Sequence, residues 1–184
     1  MKQTQLRKLT AAAILAALAV VCSPLSVPIG ASKCFPVQHF VNVIAGIFLG
    51  PVYGVGAAFV TSLIRNLMGT GSLLAFPGSM FGAFLSGFLY QKFKKLPFAY
   101  VGELFGTAVI GGIVCFPVAT LIMAKEAAIF TYVLPFFISS CGGTVIAAIL
   151  APAMKKAGVD KFIQGDLKRN KKESDGIENA GKNS

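Results

Sequence analysis

Residues 65–87 read R-N-L-M-G-T-G-S-L-L-A-F-P-G-S-M-F-G-A-F-L-S-G. Arg65 and Asn66 close one long apolar run, Gly69-Thr70-Gly71-Ser72 has the composition of a turn, and Phe76-Pro77-Gly78-Ser79 opens a second apolar run. In the second run small residues recur every four positions, as Gly78-x-x-x-Gly82-x-x-x-Ser86 and Ser79-x-x-x-Ala83-x-x-x-Gly87. That spacing puts two small-residue ridges on one helix, which lets neighbouring helices approach closely, as helices do inside a bilayer. A polar turn between two such helices reads as the mouth of a binding site between membrane helices.

The rest of the chain agrees with a membrane setting. Of its 184 residues 55% are hydrophobic and only 13% charged, with mean hydropathy +0.72, whereas a soluble domain carries about 25% charged residues. The charge sits at the two ends and in one central loop. The expected fold is therefore an all-α integral membrane protein with one membrane domain over residues 1–154 and a polar, basic tail over 155–184. The net charge of +10 belongs to loops on the cytoplasmic side of the helices rather than to a nucleic-acid surface.

Six apolar spans can be laid out: 9–25, 37–49, 52–67, 73–90, 98–122 and 132–154. The first resembles a signal peptide in having a basic start, but its length and the hydrophobic segments after it favour an uncleaved helix. The second is too short to cross a bilayer unaided, which needs about 20 residues, so it is expected to be tilted, broken or re-entrant, against protein or a water-filled cavity. Of the 17 Lys and Arg residues, an arrangement with both termini cytoplasmic leaves only Lys33, Arg65 and Lys125 outside. The reverse arrangement inverts the usual bias. The protein is expected to be multi-pass in the cell membrane, surrounded by lipid.

This topology brings polar side chains from three segments to the outer face: Lys33, Gln38, His39 and Asn42 before and within the second span; Arg65, Asn66, Thr70 and Ser72 at the turn; Tyr132, Ser139 and Ser140 in the sixth. Phe35-Pro36-x-x-x-Phe40 followed by Gly46 is echoed by Phe76-Pro77-x-x-x-Phe81 followed by Gly87, and Leu134-Pro135-Phe136 is similar. Proline suits a helix start, so three helix N-termini, with their free N–H donors and partial positive charge, are expected to face one cavity. Gln38, His39, Asn42 and Ser79 are read as hydrogen-bonding groups for a ligand, Phe76 and Phe136 as packing surfaces for an aromatic ring, and Lys33 and Arg65 as cations for a hydroxyl or phosphate. Structural alternatives stand beside these: His39 as a hydrogen-bonded interface residue, Arg65 and Asn66 as interface anchors. Glu103, the one acid within an apolar run, is a functional hypothesis by default, set against a structural reading in which it caps its helix start or pairs with Lys94 or Lys95, which is the reading preferred.

Cys22, Cys34, Cys115 and Cys141 show neither a zinc nor a disulfide pattern, and no metal or cofactor is implied. Enzyme and nucleotide motifs are not found. Uphill transport would need energy from partner proteins. In the first span, Ala12-x-x-x-Ala16 and Ala13-x-x-x-Ala17 form smooth surfaces that either pack internally or dock another membrane protein.

The segments Lys33-Cys34-Phe35-Pro36-Val37-Gln38-His39-Phe40-Val41-Asn42, Leu49-Gly50-Pro51, Arg65-Asn66-x-x-Gly69-Thr70-Gly71, Ala75-Phe76-Pro77-Gly78-Ser79-Met80 and Gly102-Glu103-x-x-Gly106-Thr107 resemble the ThiW family. That family comprises substrate-binding S components of energy-coupling factor (ECF) transporters, associated with the thiazole precursor of thiamine. The resemblance spans roughly residues 9–153. It implies a compact six-helix bundle that captures hydroxyethylthiazole or a related thiamine precursor from outside, with a first loop (28–36) closing over the ligand. It also implies a transmembrane T component, docked on Ala12, Ala13, Ala16 and Ala17, and two ATPase subunits. The rival readings are an autonomous secondary carrier or channel for a vitamin-like solute, an intramembrane enzyme, or a scaffold subunit.

Overall fold

A computed structural model describes residues 3–29, 32–124 and 126–164. Lys2, Lys125 and residues 165–184 of the polar tail lie outside the described residues.

The chain forms a bundle of six principal helices: α1 Gln3–Val21, α2 Pro36–Phe48, α3 Pro51–Leu67, α4 Ala75–Phe93, α5 Leu96–Ile122 and α6 Val133–Lys156, followed by the short α7 Val159–Gln164. It is an integral membrane helical bundle. By length and composition α1, α5 and α6 are each long and apolar enough to cross a membrane, while α2 has only 13 residues. The expected interruption after α2 is present. Gly50 takes φ +93°, a left-handed value natural to glycine, and Pro51 starts α3 at once. Pro36 likewise sits at the start of α2, where its missing N–H costs nothing.

Two features were not expected. Between α1 and α2, β1 Val27–Ile29 and β2 Ser32–Cys34 pair antiparallel as a two-stranded ribbon, Pro28 opposite Lys33. A ribbon with two free edges tolerates such a proline. Within α5, Phe105–Gly111 and Val118–Ile122 are wound as π-helix. The second stretch follows Pro117 directly, whose ring removes an N–H from the ladder.

α2 is the central element. It packs against α3, α4 and α6, and every residue from Val41 to Leu49 is buried. Ile44, Ala45 and Phe48 join Ala99, Ala147 and Ala151 in the main core. The small-residue ridges let this happen. A Cβ on Gly46 would lie 2.8 Å from the Gly87 backbone nitrogen, so α2 and α4 touch main chain to main chain, at the two glycines of the sequence echo. In α1 the small surfaces separate. Ala12 and Ala16 are buried in the core, whereas Ala13 and Ala17 stay exposed.

The bundle has two unlike ends. At one, Arg7 Nη1 donates to Phe162 O (3.0 Å), Lys155 Nζ donates to Tyr90 Oη (2.7 Å), and Lys8 lies over the Tyr53 ring. At the other, the ribbon is fastened to α6 by Cys34 Sγ donating to Pro135 O (3.2 Å), and Ser23 Oγ donates to Thr70 Oγ1 (3.2 Å). Burial pushes the Cys34 thiol above its ordinary range, only partly offset by Ser139, so it sits protonated.

The tightest packing lies at Gly82 on α4. A Cβ there would collide with Thr107 Oγ1 and come within 2.7 Å of Glu103 Oε2. Gly82→Ala is expected to lower stability by about 1–3 kcal/mol through overpacking, read as a reduced thermal midpoint of the detergent-purified protein.

Candidate functional site

At the ribbon end, the starts of α2, α4 and α6 and the end of α3 enclose a cleft with about 400 Å³ of empty space, part of it open to solvent. Phe35, Gln38 and His39 line it from α2 and its approach. Arg65 comes from α3, Ala75, Gly78 and Ser79 from α4, and Phe136 and Ser139 from α6; Lys33 contributes from β2, Ser72 and Leu74 from the turn. Three helix N-termini thus meet at one cavity, as their prolines suggest.

Beneath the cleft runs a connected chain of buried polar side chains. Arg65, 1% exposed, lays its guanidinium 3.5 Å from the Phe35 ring centroid and donates from Nη1 to Gln38 Oε1 (3.4 Å). Gln38 Nε2 donates to Asn42 Oδ1 (3.1 Å). Asn42 Nδ2 donates to Ser79 O (3.1 Å) and Glu103 Oε1 (3.1 Å). The same Glu103 oxygen meets His39 Nδ1 at 2.8 Å and accepts from Thr107 Oγ1 at 3.0 Å. With Nδ1 held by the carboxylate, Nε2 is the ring nitrogen left to His39 for any contact in the cleft.

Glu103 therefore has a different role from the helix cap or partner of Lys94 and Lys95 expected for it. It is fully buried and bound to α2. Three side chains expected at the cleft do not line it. Phe76 does not line the cleft; its ring lies 5.5 Å from Phe59, toward α3. Asn66 does not line it either, and instead holds the turn together by donating to Ser62 O (2.8 Å) and Ser72 O (2.9 Å). Asn42 sits one layer below the cleft.

The hydroxyls in the wall are largely committed within the protein. Ser79 Oγ donates to Ala75 O (2.7 Å) with Ser62 Oγ at 3.1 Å, and Ser139 Oγ accepts the Phe35 N–H (2.7 Å). Lys33, Gln38, His39, Arg65, Ser79, Phe136 and Ser139 share the cleft. Phe35 and Gly78, read from the sequence only as part of a helix start and of a packing ridge, line it as well. Gly78 makes room for Phe136, whose ring would lie 2.6 Å from a Cβ at that position. Among the described residues no group of His, Cys, Asp and Glu is arranged to hold a metal ion.

A family model for the thiamine-precursor transporter protein (ThiW) matches residues 9–157, well over half of the chain. The chain belongs to the ThiW family. No curated protein and no solved structure matches it. All the cleft residues and the whole network below them fall within the matched segment, so the ThiW match and the polar site describe the same part of the molecule.

Removing the Glu103 carboxylate would strand three buried donors. Glu103→Leu is expected to cost about 3–5 kcal/mol and Glu103→Gln clearly less, because an amide oxygen still accepts. Thermal unfolding of both variants in detergent checks the order.

Proposed function

We propose that this ThiW-family chain is the substrate-capture subunit of an ECF-type importer, multi-pass in the cell membrane with both termini cytoplasmic. It takes up a thiamine precursor, hydroxyethylthiazole or a close relative, from the extracellular side. The observation that carries the reading is the cleft at the three helix N-termini, floored by the Arg65–Gln38–Asn42–Glu103–His39 network.

Each part of the cleft has a use in that role. Phe136 and Phe35 offer aromatic faces to a flat heterocycle. His39 Nε2 and the Gln38 amide offer directional hydrogen bonds to its heteroatoms, and Arg65 and Lys33 meet the polar arm. Asn42 positions His39 and Glu103 from below, while Ser79 and Ser139 set the walls. The ribbon carrying Lys33 lies over the mouth, where closing it would shut the ligand away from water.

The chain binds and presents its ligand; a T component and two ATPase subunits supply the energy. Ala13 and Ala17, the exposed small residues of α1, are the part of its alanine surface left for such a partner. The membrane domain is residues 1–154, and the segment after it faces the cytoplasm, its α7 held on the bundle by Ile163 and by the Arg7–Phe162 hydrogen bond.

The purified chain in detergent is expected to bind hydroxyethylthiazole by calorimetry, and His39→Ala to weaken binding by about tenfold, equal to roughly 1.4 kcal/mol, without loss of folding. Unchanged affinity in His39→Ala would remove His39 from the site. In liposomes the chain alone should bind but not accumulate the ligand; uptake without ATPases would instead mark an autonomous carrier.

A further inference from the structure

Arg65 is buried to 1% exposure, yet among the described residues its Nε and Nη2 have no hydrogen-bond partner. Its third nitrogen, Nη1, is the one engaged by Gln38. The arrangement is specific, because Nε–H and the near Nη2–H point the same way, so together they form the side-on edge of the guanidinium that takes two oxygens of one carboxylate or phosphate. Among the described residues no carboxylate occupies that edge. Among the described residues Arg65 has no ion pair, no Asp or Glu lines the cleft, and Glu103 is turned to His39, Asn42 and Thr107.

A buried cation with two idle donors is costly. The Phe35 face beneath it offsets part of that cost, but a ring face uses the flat of the guanidinium and leaves the edge free. Lys33, exposed on the ribbon, adds a second positive charge at the mouth of the same cleft.

We infer that the ligand of this cleft carries an oxyanion, a phosphate or a carboxylate, seated on the Nε/Nη2 edge of Arg65. This rests on the thiamine-precursor reading for the rest of the ligand, and within it names the form recognised: a small heteroaromatic ring whose arm ends in an oxyanion that can present two oxygens to one guanidinium edge, not the neutral alcohol. The ring packs against Phe136 and the anion lies toward α3.

The test compares three compounds on the detergent-purified chain by calorimetry: hydroxyethylthiazole, its phosphate ester, and the analogue whose arm ends in a carboxylate. One anionic form is expected to bind about tenfold or more tightly than the alcohol, the scale of charge-assisted hydrogen bonds. Which of the two does so identifies the anion. Arg65→Lys keeps the charge but loses the fork, and should abolish most of that preference, as should Arg65→Gln. Should the variants not fold, the ranking on the native chain decides. Equal or tighter binding of the alcohol, or a preference that survives in folded Arg65 variants, overturns the inference and leaves the thiamine-precursor role standing. A thermal-shift assay with inorganic phosphate separates the two claims. If no thiazole binds but phosphate stabilises the native chain and not Arg65→Gln, the anion site stands and the thiamine-related reading falls. If neither thiazoles nor phosphate bind, both fall.

Discussion

A carboxylate in the middle of a membrane protein needs partners, and the site is arranged around supplying them. Glu103 is fully buried, and one of its oxygens gathers a ring N–H, an amide and a hydroxyl from His39, Asn42 and Thr107. Each donor fixes something else. Asn42 also holds the Ser79 carbonyl, tying α2 to α4. His39 has one nitrogen committed, so its ring orientation is set. Thr107 lies within the π-wound part of α5, where a widened turn is a common way to place a functional side chain. Gly82 leaves the space that Glu103 and Thr107 fill.

That arrangement depends on a helix too short to span. At 1.5 Å per residue, the 13 residues of α2 extend only about 20 Å, against a hydrocarbon core of roughly 30 Å. At the start of α2, β2 and the first turns of α4 and α6 stand round the cleft. Close glycine packing holds that start in place. A Cβ on Gly143 would collide with Pro36 O and lie 2.6 Å from His39 Cβ, so α6 presses directly on the first turn of α2. The cleft is the room left beside that tightly held first turn.

The helices were legible in the sequence because each is bounded by residues with a mechanical reason to stop a helix. Pro36, Gly50-Pro51 and the Gly69–Ser72 turn bracket α2 and α3 closely, and the fifth and sixth spans fall within two residues of where α5 and α6 run. The convergence of polar groups from α2, α3, α4 and α6 was legible for the same reason, since topology alone fixes which ends meet. Facing was not. Phe76 lies roughly 200° round the helix from Gly78, and nothing local says which of them looks into the cleft. The ribbon strands have three residues each, too few for an alternating pattern to register. Depth counted along α5 alone does not reveal the partners of Glu103, because His39 and Asn42 reach it from α2. Its signal was present all the same: a lone acid in an apolar run is a functional hypothesis by default.

The same network explains how one small site can hold two opposite charges without their cancelling. Arg65 and Glu103 are not paired. Two amides, Gln38 and Asn42, stand between them, each accepting from the Arg65 side and donating toward Glu103. Hydrogen bonds aligned head to tail in this way polarise one another in a low-dielectric interior, so the carboxylate helps to hold the guanidinium in place without touching it. A direct salt bridge would have closed both groups to a ligand. The relay instead leaves the outer edge of Arg65 unpaired at the cleft, and keeps the carboxylate below the cleft wall as a fixed support for His39. What the relay achieves is this separation of a carboxylate held by its own partners from a guanidinium edge left unpaired, across α2, by two side chains four residues apart.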